Sequence, residues 1–187
     1  MELFYIKKVL QGDPAPFSYF VKTYKHMAFS IAYRIVHNKE DAEEVVQDSF
    51  VKSFRSLSKF RQESKFSTWF YKIVVNTARS RIRTKPPIVV DIDSDTISDC
   101  FVETVASAYT LLAHADQVKM INLALDRMVI EDRLLLTVYY LYENSIEEVS
   151  EITDIAVENV KMRLHRARKK MYLILSEILK AEIHHIV

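Results

Sequence analysis

Basic and amide side chains recur on one side of a helical segment near the C-terminus. The segment runs from Val157 to about Leu179, and four of its side chains lie three or four residues apart on one face: Met162, His165, Arg166 and Lys169. Guanidinium and amide groups can form paired hydrogen bonds with base edges in the major groove of DNA. Ammonium groups mostly meet phosphates. The segment therefore predicts a helix that binds duplex DNA, with a solvated basic face as the alternative.

The residues before this segment predict a helix-turn-helix. Ser145 with Glu148 three residues later forms a capping box for a short helix over Ile146–Ile152. Thr153–Ala156 then forms a turn of a few residues. A short helix, a tight turn and a longer basic helix is the arrangement that places the second helix in the major groove.

Two polar faces and one polar loop stand out nearer the N-terminus. The helix predicted after Asn38 has a side of carboxylates and amides that includes Asp41, Glu44, Gln47 and Asp48. The loop from Arg61 to Lys65 lies beside Phe66 and Trp69. The helix after the loop has Lys72, Asn76, Arg79 and Arg83 opposite its apolar side. On the residues alone, these faces could bind partners or simply face solvent.

The composition argues against an enzyme and against a metal or cofactor site. A single glycine excludes a P-loop or a dinucleotide-binding fingerprint. The single cysteine, Cys100, has no nearby histidine, and His184-His185 falls at the tail. One cysteine also excludes an internal disulfide. With no secretory signal and no apolar run long enough to span a bilayer, the sequence predicts a cytoplasmic protein without membrane insertion.

The net charge of +1 hides an alternation of charged blocks. Lys and Arg outnumber Asp and Glu by 16 to 8 up to Lys85, and by 7 to 2 from Lys161 onward. Acids outnumber bases by 6 to 1 over Pro86–Leu125 and by 9 to 2 over Asp126–Val160. Basic blocks suit polyanions. Because the two signs nearly cancel over the whole chain, binding must rely on local contacts.

Scarce Gly and Pro, with apolar residues three or four apart, predict an all-α chain. We expect two small helical domains joined by a flexible linker, the C-terminal one a helix-turn-helix. The first spans 1–85, the linker 86–115 and the second 116–187. A short helix is expected over Phe101–Ala115 in the linker, and a helix over Glu131–Tyr142 in the second domain.

Local signals in the first domain predict where its helices begin and end. The run Gly12-Asp13-Pro14 should break a short opening helix. Asn38 is the expected N-cap of one helix, and Ser67 that of another. Phe66, just before Ser67, is expected to staple onto Tyr71.

Three segments resemble extracytoplasmic-function sigma factors of the sigma-70 family. Residues 41–50, DAEEVVQDSF, resemble the polymerase-binding signature of region 2. Residues 60–78, FRQESKFSTWFYKIVVNTA, resemble its promoter-melting and −10-reading segment. Residues 160–168, VKMRLHRAR, resemble the −35-reading helix of region 4. The three occur in order and leave only the linker uncovered.

The resemblance implies a non-enzymatic protein that takes RNA polymerase to promoters. It implies that a coiled coil of the core RNA polymerase clamp is bound by Asp41, Glu44, Gln47 and Asp48. It implies that the opened −10 element of promoter DNA is bound by Arg61, Lys65, Trp69, Lys72, Asn76, Arg79 and Arg83. It assigns the −35 element to Asn159, Lys161, Met162, His165, Arg166 and Lys169. Many members of the family are held inactive by an anti-sigma factor, which is the further partner expected.

Three residues depart from the family pattern. Asp154 stands where the family usually has Gly, Ala156 replaces a Ser or Thr cap, and Met162 replaces a small polar residue. Two other functions remain open. A stand-alone helix-turn-helix regulator would leave the segment with Trp69 and Asn76 unexplained. A degenerate sigma factor would bind only polymerase or an anti-sigma factor.

Overall fold

The computed structural model describes the backbone of residues 1–84 and 108–186, and the side chains of residues 1–84 and 117–180. Every regular element in those ranges is a helix, and the helices form two domains. The N-terminal domain contains α1 (Glu2–Leu10), α2 (Ser18–Val36), α3 (Lys39–Ser56) and α4 (Phe66–Thr84), with short 3-10 turns at Ala15–Phe17 and Leu57–Lys59. The C-terminal domain contains α5 (Ala108–Asp126), α6 (Ile130–Leu136), α7 (Ile146–Thr153) and α8 (Val157–Ile186). No helix in these ranges is both long and apolar enough to cross a membrane.

Several helix ends follow the local chemistry predicted from the sequence. After α1, Gly12 takes a φ of +100°, a backbone region that L side chains rarely adopt. The Asn38 side chain accepts a hydrogen bond of 2.8 Å from the Asp41 N–H and so caps α3. Ser145 and Glu148 form both hydrogen bonds of the predicted capping box at the start of α7.

An aromatic cluster forms the core of the N-terminal domain. The Phe66 ring lies 4.2 Å from that of Phe20, and the Phe70 ring lies 4.6 Å from that of Phe50, measured between centroids. Phe66 belongs to the first turn of α4, so the helix begins one residue before the predicted cap, Ser67. The prediction of a cap at Ser67 is therefore wrong, and Phe66 is not a staple outside the helix. Burial of its ring anchors the first turn instead.

The C-terminal domain departs from the prediction at two helices. Helix α5 begins at Ala108 and crosses the predicted end of the linker, because no Pro or Gly interrupts the helix-forming residues there. Helix α6 passes into a π-helical turn over Thr137–Leu141 instead of continuing as an α-helix. The rest of the predicted linker, with Cys100, lies outside the described residues, as do the side chains of His184 and His185.

Candidate nucleic-acid interface

Helix α8 presents a polar face to solvent, as the sequence predicts. The candidate residues on it are all exposed: Asn159, Lys161, Met162, His165, Arg166 and Lys169. The other side of α8 buries Val160, Leu164 and Ala167 in the domain core. This burial fixes the rotation of the helix and points the candidate side chains outward. Lys170, just beyond them, pairs with Asp132 of α6 at 2.5 Å.

The turn before α8 tolerates the unusual Asp154. This residue takes a left-handed conformation, with φ of 58°, at the C-cap of α7. Asp is among the non-glycine residues that adopt this region most readily. The helix-turn-helix geometry is therefore kept with an added carboxylate at the turn.

A pocket of about 250 Å³ opens between the polar loop and Trp69. Its wall includes Lys59, Phe60 and the loop residues 61–64. The Trp69 ring is half-buried and lies 5.2 Å from Phe60 and 5.6 Å from Phe66. An aromatic face beside polar groups is what an unstacked base requires. Of the residues predicted for this surface, Arg61, Lys65 and Asn76 are exposed.

The C-terminal domain covers part of this pocket and of the basic face of α4. Lys65 pairs with Glu148 at 2.9 Å, and Lys72 pairs with Asp154 at 2.8 Å. Ser64 donates a hydrogen bond of 3.0 Å to Glu151, whose side chain also lines the pocket. The Arg79 guanidinium donates a 3.3 Å hydrogen bond to the carbonyl of Thr153. Arg83, at the end of α4, is exposed.

A buried polar seam joins the domains at a second place. Arg34 of α2 is 1% exposed, and it donates a hydrogen bond of 3.1 Å to Asp126 and another to Asn122, both in α5. Arg133 of α6 is equally buried and lies 4.0 Å from the same Asp126 carboxylate. Burial lowers the pKa of Arg133 to about 10, although Asp126 opposes the shift. One carboxylate therefore serves two buried guanidinium groups.

His37 lies beside this seam, and its titration should make stability depend on pH. Burial lowers its pKa from 6.5 to about 4; Arg133 and Arg34 add to the shift, whereas Asp126 opposes it. The unfolded chain therefore binds the His37 proton at a pH where the folded chain does not. The contribution of His37 to stability is complete above pH 6.5 and is lost as the pH falls from 6.5 toward 4.

The check is a urea unfolding series across this pH range with the parent and His37→Asn. Asn is chosen because residue 37 has a left-handed φ of 52°, which Asn tolerates. The variant should lose less stability on acidification than the parent does. Parallel curves for the two proteins would contradict the assignment.

The acidic face of α3 is partly neutralised within the chain. Glu44, Gln47 and Asp48 are exposed, and Asp41 is partly buried. Arg81 of α4 pairs with Asp41 at 2.5 Å and donates a 2.8 Å hydrogen bond to Glu44. These hydrogen bonds raise the pKa of Arg81 above its usual value.

Sequence reasoning missed Arg81, Glu148, Glu151 and Asp154 as parts of these faces. Helical periodicity could have found Arg81, because it lies about 200° around α4 from Arg79 and Arg83, toward α3. The acids of α7 and its following turn carry no such signal, because their partners are 82 to 87 residues away along the chain. Within the described residues, no cluster of His, Cys, Asp and Glu is arranged to hold a metal ion.

Comparison with protein families matches both domains. Residues 20–86 match Sigma-70 region 2, and residues 119–171 match Sigma-70, region 4. The ECF RNA polymerase sigma factor SigW of Bacillus subtilis is 30% identical over 177 residues, covering 89% of this chain and 92% of the relative. The ECF RNA polymerase sigma-E factor of Escherichia coli K12 is 30% identical over 170 residues, covering 88% of each chain.

Two solved structures have the same fold at low identity. CnrH in complex with the cytosolic domain of CnrY superposes with a TM-score of 0.63, at 21% identity, over 95% of this chain and 96% of that one. The sigma factor RpoE of Bartonella quintana, in complex with the anti-sigma factor NepR, gives 0.64 at 21% identity, over 86% of this chain and 96% of that one.

Proposed function

This chain belongs to the extracytoplasmic-function sigma factors of the sigma-70 family, and from that premise we propose which of its surfaces performs each step of promoter recognition. Sigma factors are non-enzymatic regulators that bind core RNA polymerase and direct transcription initiation at promoters. We assign the −35 element to α8, the −10 element to the loop and α4, and core polymerase to α3.

The −35 assignment rests on the rotation of α8. Its predicted contact residues are exposed on one side, while Val160 and Leu164 hold the other side in the core. Arg166 can form two hydrogen bonds with a guanine edge, and such a pair discriminates by about 1–3 kcal/mol. Lys169 fits a phosphate, which sets position and not sequence.

The −10 assignment rests on the pocket beside Trp69. A base that leaves the duplex costs a few kcal/mol to unstack. The Trp69 face and the polar loop offer stacking and hydrogen bonds that offset this cost. Lys72, Asn76, Arg79 and Arg83 continue this surface along α4 toward the flanking phosphates.

The polymerase assignment rests on the carboxylates and amide of α3. Glu44, Gln47 and Asp48 project from one exposed side and suit a partner that presents arginines. Arg81 holds the Asp41 and Glu44 side chains in place within the free chain. The partner is the clamp coiled coil of core RNA polymerase, which implies a cytoplasmic location beside the chromosome.

We further propose an anti-sigma factor as a regulatory partner. Two of the solved structures with this fold are complexes, of CnrH with the cytosolic domain of CnrY and of RpoE with the anti-sigma factor NepR. In the present chain, Lys65 and Lys72 of the proposed −10 face already form ion pairs with carboxylates of the C-terminal domain. An acidic segment of a partner protein could occupy the same positions.

In vitro transcription tests the assignments together. The protein is added to bacterial core RNA polymerase with a genomic fragment library, and the 5′ ends of the transcripts are sequenced. We expect discrete start sites that share two upstream motifs. Arg166→Ala should reduce these transcripts about 5- to 150-fold, the loss that corresponds to one paired base contact.

Arg168→Ala is the matched control, because Arg168 lies two residues along α8 and faces a different side. Its transcripts should stay near the parent level. Equal losses for both variants would contradict the −35 assignment. Footprints on duplex DNA without polymerase, and no dependence on core enzyme, would favour a stand-alone regulator.

A further inference from the structure

We propose that α7 and the turn after it act as an intramolecular competitor of single-stranded −10 DNA, so that the free chain holds its −10 face closed while its −35 face stays open. The inference rests on the proposed −10 function and adds its regulation. In the free chain, the −10 face would bind α7 and the turn after it instead of DNA.

The competitor is a row of three carboxylates. Glu148 and Glu151 lie three residues apart on α7, where a helical rise of about 1.5 Å per residue separates them by about 4.5 Å along the axis, and Asp154 follows at the C-cap. The charge spacing along one DNA strand is of similar size, about 3.4 Å per nucleotide. An anionic row of this kind suits groups that otherwise bind a DNA strand.

Each carboxylate contacts a different part of the −10 face. Glu148 pairs with Lys65 at 2.9 Å, and Asp154 pairs with Lys72 at 2.8 Å. Glu151 accepts a hydrogen bond from Ser64 and lines the pocket beside Trp69. Single-stranded DNA cannot occupy these groups until α7 leaves, so DNA binding and closure exclude each other.

The buried seam orients this contact. Arg34 reaches from α2 into the C-terminal domain, where it bonds Asp126 and Asn122. Tyr142 of the C-terminal domain lies 6.0 Å from Tyr71 of α4, between ring centroids. A buried charge pair of this kind favours one arrangement, because displacement would leave Arg34 buried without its carboxylate. The seam therefore sets α7 in register with the −10 face.

The −35 face is not covered in the same arrangement. The candidate side chains on α8 remain exposed, including Met162, His165 and Arg166. The free chain can thus meet duplex DNA through α8 while its −10 face is closed. Any partner that separates the domains must overcome the closing contacts, and by linkage closure weakens that partner's binding equally.

The test removes the three carboxylates without touching the −10 residues. The triple variant Glu148→Gln, Glu151→Gln and Asp154→Asn keeps side-chain size, and Gln serves in a capping box as Glu does. Asn tolerates the left-handed φ at residue 154. The control triple, Glu143→Gln, Glu147→Gln and Glu177→Gln, changes the net charge equally at exposed positions of the same domain.

A second variant, Arg34→Glu, opens the chain from the seam. It places a carboxylate opposite Asp126 and lies outside the −10 residues. Circular dichroism verifies that each variant keeps its helices. If the α7 triple and Arg34→Glu give the same result, that result does not come from a folding defect in only one of the two variants.

Three measurements follow, on the whole chain. Small-angle scattering reports closure, since a compact chain of this length has a radius of gyration of about 16 Å. The single tryptophan, Trp69, reports the pocket by its fluorescence. Binding is then titrated with a fluorescein-labelled single-stranded oligonucleotide that carries the −10 motif from the transcription experiment.

We expect the parent and the control triple to be compact in low salt. The α7 triple and Arg34→Glu should have a larger radius, a shifted Trp69 emission and about three- to tenfold tighter oligonucleotide binding. A compact α7 triple, an expanded parent, or expansion with measurable but no tighter oligonucleotide binding would each overturn the proposal. If no form binds the oligonucleotide but the expansion occurs, the −10 assignment fails and the domain contact is supported.

Discussion

Asp126→Asn should lower the free energy of unfolding by about 3–5 kcal/mol, the usual result of removing one partner of a buried ion pair. The Arg34 and Arg133 side chains are 1–2% exposed and both lie within 4.0 Å of the Asp126 carboxylate. Asparagine keeps the shape of the side chain and removes its charge. Two guanidinium groups would then remain buried without a counter-charge. Urea unfolding followed by circular dichroism measures the loss.

Asp132→Asn provides the control for this prediction. Asp132 also bonds a cation, but its partner Lys170 has more than half of its side chain in solvent. Pairs of this kind contribute about 0–1 kcal/mol. Losses of similar size for the two variants would mean that the seam is hydrated and does not bury its charges.

Trp69→Ala should reduce promoter opening about 5- to 150-fold, the factor that corresponds to losing one stacked base. The ring stands at the pocket between Phe60 and Phe66, with one side in the protein and the other toward the cavity. The measurement is permanganate reactivity of unpaired thymines at the start sites found by transcription. Duplex binding through α8 should be unaffected.

Rescue by phenylalanine separates stacking from packing. Trp69→Phe keeps an aromatic ring on which a base can stack, so it should restore most of the promoter opening. Trp69→Leu fills a similar space but offers no aromatic ring, so it should not restore opening. Equal opening by the phenylalanine and leucine variants would show that the residue serves only the core. Thermal unfolding of each variant checks that the domain is folded at the assay temperature.

Local signals predicted helices and caps well because they depend on neighbouring residues. Asn38 and the Ser145–Glu148 box are examples, since each acts within one helical turn. The rotation of α8 followed from its apolar period. The prediction of an N-cap at Ser67 was wrong because a buried aromatic ring, that of Phe66, determined where α4 begins. The assignments of function to each face came from the resemblance, and their residues stay predictions.

The contacts between domains could not be predicted in this way. Arg34 and Asp126 are 92 residues apart, and the residues around each give no indication that the two side chains are partners. Arg34 lies among the apolar residues of α2. From the sequence alone, an arginine in such a position is expected to extend its charged end to solvent. Its burial depends on a second domain that supplies a carboxylate, which is a property of the tertiary arrangement.

The polar nature of the seam also bears on the solubility of the opened chain. Separation of the domains would uncover Arg34, Asn122, Asp126 and the hydroxyl end of Tyr142, groups that water hydrates readily. An interface of aliphatic side chains would instead expose a hydrophobic patch that is prone to aggregation whenever the domains separated. Parting of the seam itself would therefore add mostly polar surface to the opened chain.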